Sequence, residues 1–175
     1  MEDTFDAFDV SPVPPPGPDA VAPPPFRGIY GMPMFVSLPT ADLAASVDFW
    51  TEGLGFFELF AFPGRMVHLR RWAFQDVLLV AGETPASAPT GSVSFACVLD
   101  QIEPLVEALR LVGAEVHPHD TPWNTRDLEV VTPENARVVF TAAKVFDPST
   151  AEGRSLQAVG IGRDDEGRHD NGRHD

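Results

Sequence analysis

The stretch Leu38-Pro-Thr-Ala-Asp-Leu-Ala-Ala-Ser-Val-Asp-Phe-Trp-Thr-Glu-Gly-Leu-Gly-Phe-Phe57 decides the fold of this chain. It contains the end of one strand, a complete helix and the start of the next strand. Apolar side chains recur along it at helical spacing, at Leu43, Val47, Trp50 and Leu54. Such a stripe is typical of a helix that packs one face against a core.

Polar and glycine residues mark the two ends of that helix. Thr40 or Asp42 can accept hydrogen bonds from the free N–H groups of the first turn. Gly53 or Gly55 can supply the left-handed residue that ends a helix, and Phe56 begins an apolar strand. The stretch therefore predicts a strand, a helix at about 41–53, and a second strand.

The same order of elements occurs twice along the chain. The first copy has a strand at 32–38, the helix, and strands at 56–62, 66–72 and 77–81. The second copy has a strand at 92–98, a helix with a capping box at Asp100 and Glu103, and strands at 114–117, 126–131 and 137–142. We therefore predict an α+β fold, in which two βαβββ modules (about 32–82 and 91–143) form a curved mixed sheet with a concave cleft.

Composition sets the limits of the domain and of its partners. Residues 1–30 are proline-rich and acidic, and residues 147–175 are polar, so we expect two disordered tails around a domain at 31–146. A net charge of −14 argues against nucleic acid or an anionic membrane as partner. It fits a cationic ligand, although acidity also serves solubility.

Targeting and redox signals point to the cytoplasm. The acidic N-terminus has no apolar segment typical of a signal peptide, and no apolar run approaches the roughly 18 residues that a membrane helix needs. A lone cysteine, Cys97, lies in an apolar strand, where it is expected to be a buried core residue.

Two segments resemble motifs of the vicinal oxygen chelate superfamily, which has the glyoxalase and bleomycin-resistance fold. The first comprises the run from Leu38 to Leu43, then Ser46-Val-Asp-Phe-Trp50 and Leu54-Gly-Phe56. The second is 121–135, with a proline-tryptophan turn and an asparagine-containing hairpin, followed by Val138-Val-Phe140. The resemblance covers about residues 32–143 and implies the same fold.

Enzymes of that superfamily hold a divalent ion with four ligands, one from each of four strands. The resemblance places those positions at Phe35, Leu79, Ser92 and Val139. Three of these side chains are apolar, and serine is not one of the usual ligands of such an ion. We therefore expect no metal, no cofactor and no catalytic residue, which predicts that the chain is not an enzyme.

The histidines of the predicted domain offer little else. His117 and His119 have a suggestive spacing, but they lead into a turn. His68 alternates with apolar neighbours on a strand and is interpreted as a half-exposed sheet residue.

The resemblance is closest to the bleomycin-resistance branch, whose members are cytoplasmic dimers that sequester cationic glycopeptide antibiotics. It implies the same role here: a cytoplasmic homodimer that binds a small cationic antibiotic and thereby confers resistance. The balance of 14 acidic against 7 basic residues in 31–146 supports it. Two alternatives stay open. One is a divergent metal-dependent lyase or dioxygenase with relocated ligands, and the other is an interaction module that uses the proline-rich tail.

The candidate ligand-binding residues are aromatic or acidic. Phe60 and Trp123 match aromatic positions near the drug cleft of that branch, and Trp72 at a strand end is a third aromatic. Asp127 and Glu129 could meet positive charge on the ligand. Phe60 fits core packing equally well, and the two acidic residues also fit a solvated strand face.

Overall fold

The computed structural model describes residues 13–28, 35–87 and 91–158. The first module comprises β1 (Phe35–Thr40), α1 (Leu43–Asp48), β2 (Phe57–Phe62), β3 (Met66–Arg70) and β4 (Asp76–Ala81). The second comprises β5 (Val93–Cys97), α2 (Ile102–Leu111), β6 (His119–Asp120), β7 (Thr125–Val131) and β8 (Arg137–Ala143), and α3 (Ala151–Ala158) follows it. Residues 32–34 of the first predicted strand lie outside the described residues.

The strands form two four-stranded mixed sheets, in the orders β1-β4-β3-β2 and β5-β8-β7-β6. In each sheet the first and last strands of the module pair in parallel, and the other neighbours pair antiparallel. A parallel pair requires a long connection, which here includes the helix and two strands of the module. The α+β fold with two βαβββ modules is confirmed.

The sequence left two candidate residues for the start of α1 and two for its end, and the structure selects one at each end. The Ala45 N–H donates to Asp42 Oδ1 at 3.0 Å, which makes Asp42 the N-cap. The helix then continues as a π-helical turn at Phe49–Gly53. Gly55 has φ of 71°, in the left-handed region that favours glycine, and it ends the helix.

The two modules share one hydrophobic core. Trp50 is fully buried, and its ring packs edge-on against Phe56 at 5.0 Å and against Phe95 of the second module at 6.5 Å. Gly53 permits a close approach of the two helices, because a Cβ there would lie 2.8 Å from Val112 Cγ2. Both modules are therefore needed to bury the α1 segment.

Two predicted details of the second module are wrong. The strand expected at 114–117 is absent; a two-residue strand forms at 119–120 instead, while Val116 is buried in the core without pairing. The helix entry does not use the Asp100–Glu103 capping box. Gln101 Oε1 accepts from the Val98 N–H at 3.2 Å, so a short 3₁₀ turn at Leu99–Gln101 precedes α2.

The structure describes part of each segment that was predicted to be a disordered tail. Residues 13–28, here called the strap, run along the domain, and Val13 and Ala22 pack against the shared core. Helix α3 lies within the segment that was expected to be a polar tail. The predicted bounds of the domain, 31–146, stay a prediction. Among the described residues, no helix combines the length and apolar character needed to cross a bilayer.

Candidate functional site

Each sheet buries one face in the shared core and leaves the other face open. In the first sheet, Leu69 and Leu79 point into the core and are fully buried. The alternation of a strand places their neighbours on the open face. On that face, Phe60 of β2 lies opposite His68 of β3. Asp76, the first residue of β4, lies between Phe35 of β1 and Arg70 of β3.

A cluster of three charged or titratable side chains lies on this open face. His68 Nε2 is 2.6 Å from Asp76 Oδ1, and Arg70 Nε donates to the same oxygen at 2.8 Å. All three residues are less than 10% exposed. Ionised partners and burial make such hydrogen bonds strong, so the carboxylate fixes the orientation of both neighbours.

Sequence analysis misjudged this cluster. His68 is buried rather than half-exposed, and it has a carboxylate partner. Arg70 and Asp76 were missed altogether. The available signal was the alternation that places residues 68 and 70 on one face of β3, together with an acidic residue at the start of an apolar strand.

Phenylalanine rings flank the imidazole of His68. The ring centroids of Phe60 and Phe35 lie 4.9 and 6.3 Å from it, both in edge-on geometry. Phe60 also packs edge-on against Phe62 at 6.1 Å. Phe35 is 47% exposed and Phe60 is 42% exposed, so this face offers solvent-accessible aromatic surface beside a buried polar pair. The role of Phe60 as a ligand contact stays a prediction.

The two predicted acidic site residues lie on the open face of the second sheet, where both already have partners. Asp127 Oδ1 accepts from Thr125 Oγ1 and Thr141 Oγ1, each at 2.7 Å. Glu129 forms an ion pair with Arg137. A cationic ligand would have to compete with these contacts, which lowers the gain from binding there.

The structure does not bring the predicted aromatic residues into one site. Trp123 is 60% exposed in the turn before β7, whereas Phe60 lies on the first sheet. Trp72 is buried in the core, with the Arg71 guanidinium 4.6 Å from its ring. Trp72 therefore packs in the core, and its role as a ligand contact stays a prediction.

Two of the four positions carried over from metal-dependent relatives are misplaced in the structure. Leu79 points into the core, so the residue of β4 beside Phe35 on the open face is Asp76. Ser92 precedes β5, and the open-face neighbour of Val139 is Ser94.

The donor residues of this face do not fit a divalent-metal site. Asp76 is the carboxylate beside Phe35, but Arg70 and His68 both occupy its Oδ1. His117 and His119 are exposed on the second module. Over residues 13–28, 35–87 and 91–158, no group of three or more histidine, cysteine, aspartate or glutamate side chains could hold a metal ion.

Between the modules lies a buried cation beside a buried thiol. The Arg71 guanidinium sits 4.6 Å from the Trp72 ring and 4.9 Å from that of Phe140, and Nη1 donates to the Ala96 carbonyl at 3.1 Å. Burial lowers the pKa of Arg71 to about 10, against the opposing effect of Cys97. Burial likewise raises the pKa of the Cys97 thiol to about 11. This thiol is therefore protonated at neutral pH.

We expect Cys97 to react slowly with alkylating reagents in the folded protein. A pKa of about 11, against an ordinary value of 9.0, lowers the thiolate fraction at pH 8 about a hundredfold. Labelling by iodoacetamide at pH 8, followed by mass spectrometry with and without urea, measures this ratio. Equal labelling rates in the two conditions would contradict the burial of the thiol.

Comparisons with known proteins agree with this geometry. A sequence model of the Glyoxalase/Bleomycin resistance protein/Dioxygenase superfamily matches residues 33–149. The chain belongs to this superfamily. No curated protein matches the chain.

Among solved structures, an integron cassette protein from the mobile metagenome of the Halifax Harbour sewage outfall is 26% identical, with a TM-score of 0.54. The match covers 65% of this chain and 99% of that one. A glyoxalase/bleomycin resistance protein/dioxygenase from Nocardioides is 23% identical, with a TM-score of 0.51, and covers 70% and 90%. The fosfomycin resistance protein FosX from Listeria monocytogenes, complexed with Mn(II) and a sulfate ion, is 13% identical with a TM-score of 0.58, and covers 75% and 99%.

The FosX structures correct one prediction of the sequence analysis. Another FosX structure contains Mn(II) and 1S,2S-dihydroxypropylphosphonic acid. These structural neighbours are named as resistance proteins, and one of them holds Mn(II) together with a phosphonic acid. The expectation that the chain is not an enzyme, drawn from the residues at 35, 79, 92 and 139, is therefore wrong. Closeness to the bleomycin-resistance proteins is not confirmed.

Proposed function

We propose that this chain is an enzyme of the superfamily that transforms a small molecule on the open face of the first sheet. The observation that carries the proposal is the buried hydrogen bond of 2.6 Å between His68 Nε2 and Asp76 Oδ1, placed beneath two exposed phenylalanine rings. A buried, oriented imidazole in an otherwise apolar surface is typical of a group that transfers protons.

The chemistry of the pair follows from its geometry. In the tautomer that donates from Nε2 to Asp76, His68 presents Nδ1 as the acceptor of a proton from a substrate or a water molecule. The carboxylate then stabilises the imidazolium that forms, as in other histidine–aspartate pairs. The proton leaves Nδ1 again when it is returned to the product. Arg70 holds the carboxylate in place through Nε.

The aromatic side chains support a substrate with an apolar part. Phe35 and Phe60 flank the imidazole at ring distances of 6.3 and 4.9 Å. A flat or aliphatic group could pack against these rings while its reacting atom approaches His68.

Antibiotic resistance is the biological role that the relatives favour. Fosfomycin is the drug named for FosX, and a bleomycin-type cation is the drug predicted from sequence. The partners already engaged by Asp127 and Glu129 weigh against the cation, because they reduce the charge available on the second sheet. We keep a cytoplasmic homodimer as part of the proposal.

The test is a combination of resistance and turnover. The full chain is expressed in a sensitive bacterial host, and growth is measured against fosfomycin, bleomycin and a panel of other antibiotics. The purified chain is incubated with each drug, and the mass of the drug is followed. We expect raised resistance to one drug together with a changed drug mass. Resistance to none and unchanged masses throughout would overturn the antibiotic proposal.

A further inference from the structure

The strap ends on the face where we place the reaction. Its N-terminal half runs past the ends of β5 and β8 and encloses a cavity of about 390 Å³, lined in part by Val13, Pro16, Cys97 and Val98. Its C-terminal half continues past Trp72, where Pro23 and Pro25 line a second hollow. Residues 26–28 then reach Arg70.

Two of these three residues, Phe26 and Gly28, contact the same cation. Arg70 Nη1 donates to the Gly28 carbonyl at 2.5 Å and to the Phe26 carbonyl at 3.5 Å. The Phe26 ring lies 5.7 Å from Arg70 Cζ. In addition, the Arg27 guanidinium lies 4.3 Å from the Phe57 ring, which holds the strap against β2.

Backbone carbonyls are weak partners for a guanidinium. A carboxylate, phosphonate or phosphate oxygen adds a full negative charge opposite the guanidinium, and the planar fork of arginine fits such groups in a bidentate manner. The Gly28 carbonyl therefore occupies a position that an oxyanion could take over. Arg70 keeps Asp76 on its Nε edge, so a newly arriving anion would meet the Nη1 edge.

We propose that the strap is a displaceable cover of an oxyanion subsite, in which Arg70 Nη1 holds a carboxylate, phosphonate or phosphate group of the substrate. This inference rests on the proposed function for the position of the substrate beside His68. It adds the substrate class, a small molecule with an anionic group, and a regulatory contact, since the strap competes with the substrate for Arg70.

The sequence of the strap suits repeated release and return. Pro23-Pro24-Pro25 restricts the backbone to an extended conformation even when it is not in contact with the domain. Less conformational freedom is therefore gained on release and lost on return. Arg27 and Phe26 provide side-chain contacts that can be weakened without removing either carbonyl.

The experiment uses the full chain with inorganic phosphate and methylphosphonate as probes. Hydrogen exchange of residues 13–28 is compared in phosphate and in chloride at equal ionic strength, and calorimetry gives the affinities. We expect phosphate to raise exchange in the strap.

Phe26→Ala with Arg27→Ala should bind methylphosphonate about tenfold more tightly, because the competing strap is weakened. The variant Arg65→Ala, which removes an exposed arginine of the β2–β3 turn, is the charge-matched control for Arg27→Ala.

Two further variants separate this inference from the proposed function. Arg70→Lys keeps the charge but removes the fork, and it should weaken methylphosphonate binding at least tenfold while thermal unfolding confirms that it folds. His68→Gln should lose turnover but keep both the anion affinity and the strap response.

Unchanged exchange in phosphate, with equal affinities in wild type and in the Phe26/Arg27 variant, would overturn the strap inference and leave the proton-transfer proposal standing. The strap inference would also be overturned if His68→Gln lost turnover but Arg70→Lys bound methylphosphonate as tightly as wild type. The proton-transfer proposal would stand in that case too.

Discussion

Replacement of Trp50 by alanine is expected to lower the free energy of unfolding by about 3–5 kcal/mol. Trp50 is fully buried between the two modules, and its Nε1–H donates to Glu134 Oε2 at 3.0 Å. The variant loses the packing of the ring and also leaves a buried carboxylate without its donor. Urea denaturation followed by circular dichroism measures the change.

Two matched variants identify the source of this loss. Trp50→Phe keeps an aromatic ring but removes the N–H, and we expect a cost of about 1–3 kcal/mol from the buried Glu134 alone. Trp123→Ala removes a tryptophan that is 60% exposed, and it should change stability by less than about 0.5 kcal/mol. Equal effects of Trp50→Ala and Trp123→Ala would show that Trp50 does not bind the modules together.

Replacement of His68 by glutamine is expected to lower turnover of the substrate by about 10²- to 10⁴-fold. Glutamine can still donate a hydrogen bond to Asp76, so the cluster with Arg70 keeps its shape. It cannot accept and return a proton at neutral pH, so the chemical step slows. Turnover number and KM, measured for the drug that wild type modifies, separate this effect from weaker binding.

A matched histidine provides the control for that variant. His119 is exposed on the second module, and His119→Gln should leave turnover unchanged. Asp76→Asn should lower turnover as well, because an amide in this position favours the wrong tautomer of His68. Full turnover in His68→Gln would rule out proton transfer by this residue.

Local patterns in the sequence were sufficient to predict most of the fold. The apolar stripe of α1 and the glycine that follows it specify a helix with a defined end, and period-two alternation gives the strands. The strand expected at 114–117 was wrong because an apolar pattern records burial and not pairing. Val116 is buried by the shared core, which depends on residues far away in the chain.

The candidate site was harder to predict, since it depends on the register of one hairpin. His68 and Arg70 meet Asp76 only because the turn from β3 to β4 aligns these positions. Phe74 in that turn has φ of 64°, a conformation that sequence rules assign to glycine or asparagine. The positions carried over from the family were also misleading, because Leu79 lies on the core face of β4, whereas Asp76 is the residue beside Phe35 on the open face.

The pairing of β1 with β4 and of β5 with β8 has a consequence for synthesis of the chain on the ribosome. Each sheet places its last-made strand beside its first-made one, so neither sheet is complete until its whole module has left the exit tunnel. The core shared through Trp50 and Phe95 extends this dependence to the whole domain. A nascent chain released before β8, at 137–143, would therefore expose the apolar faces of both modules to chaperones and proteases.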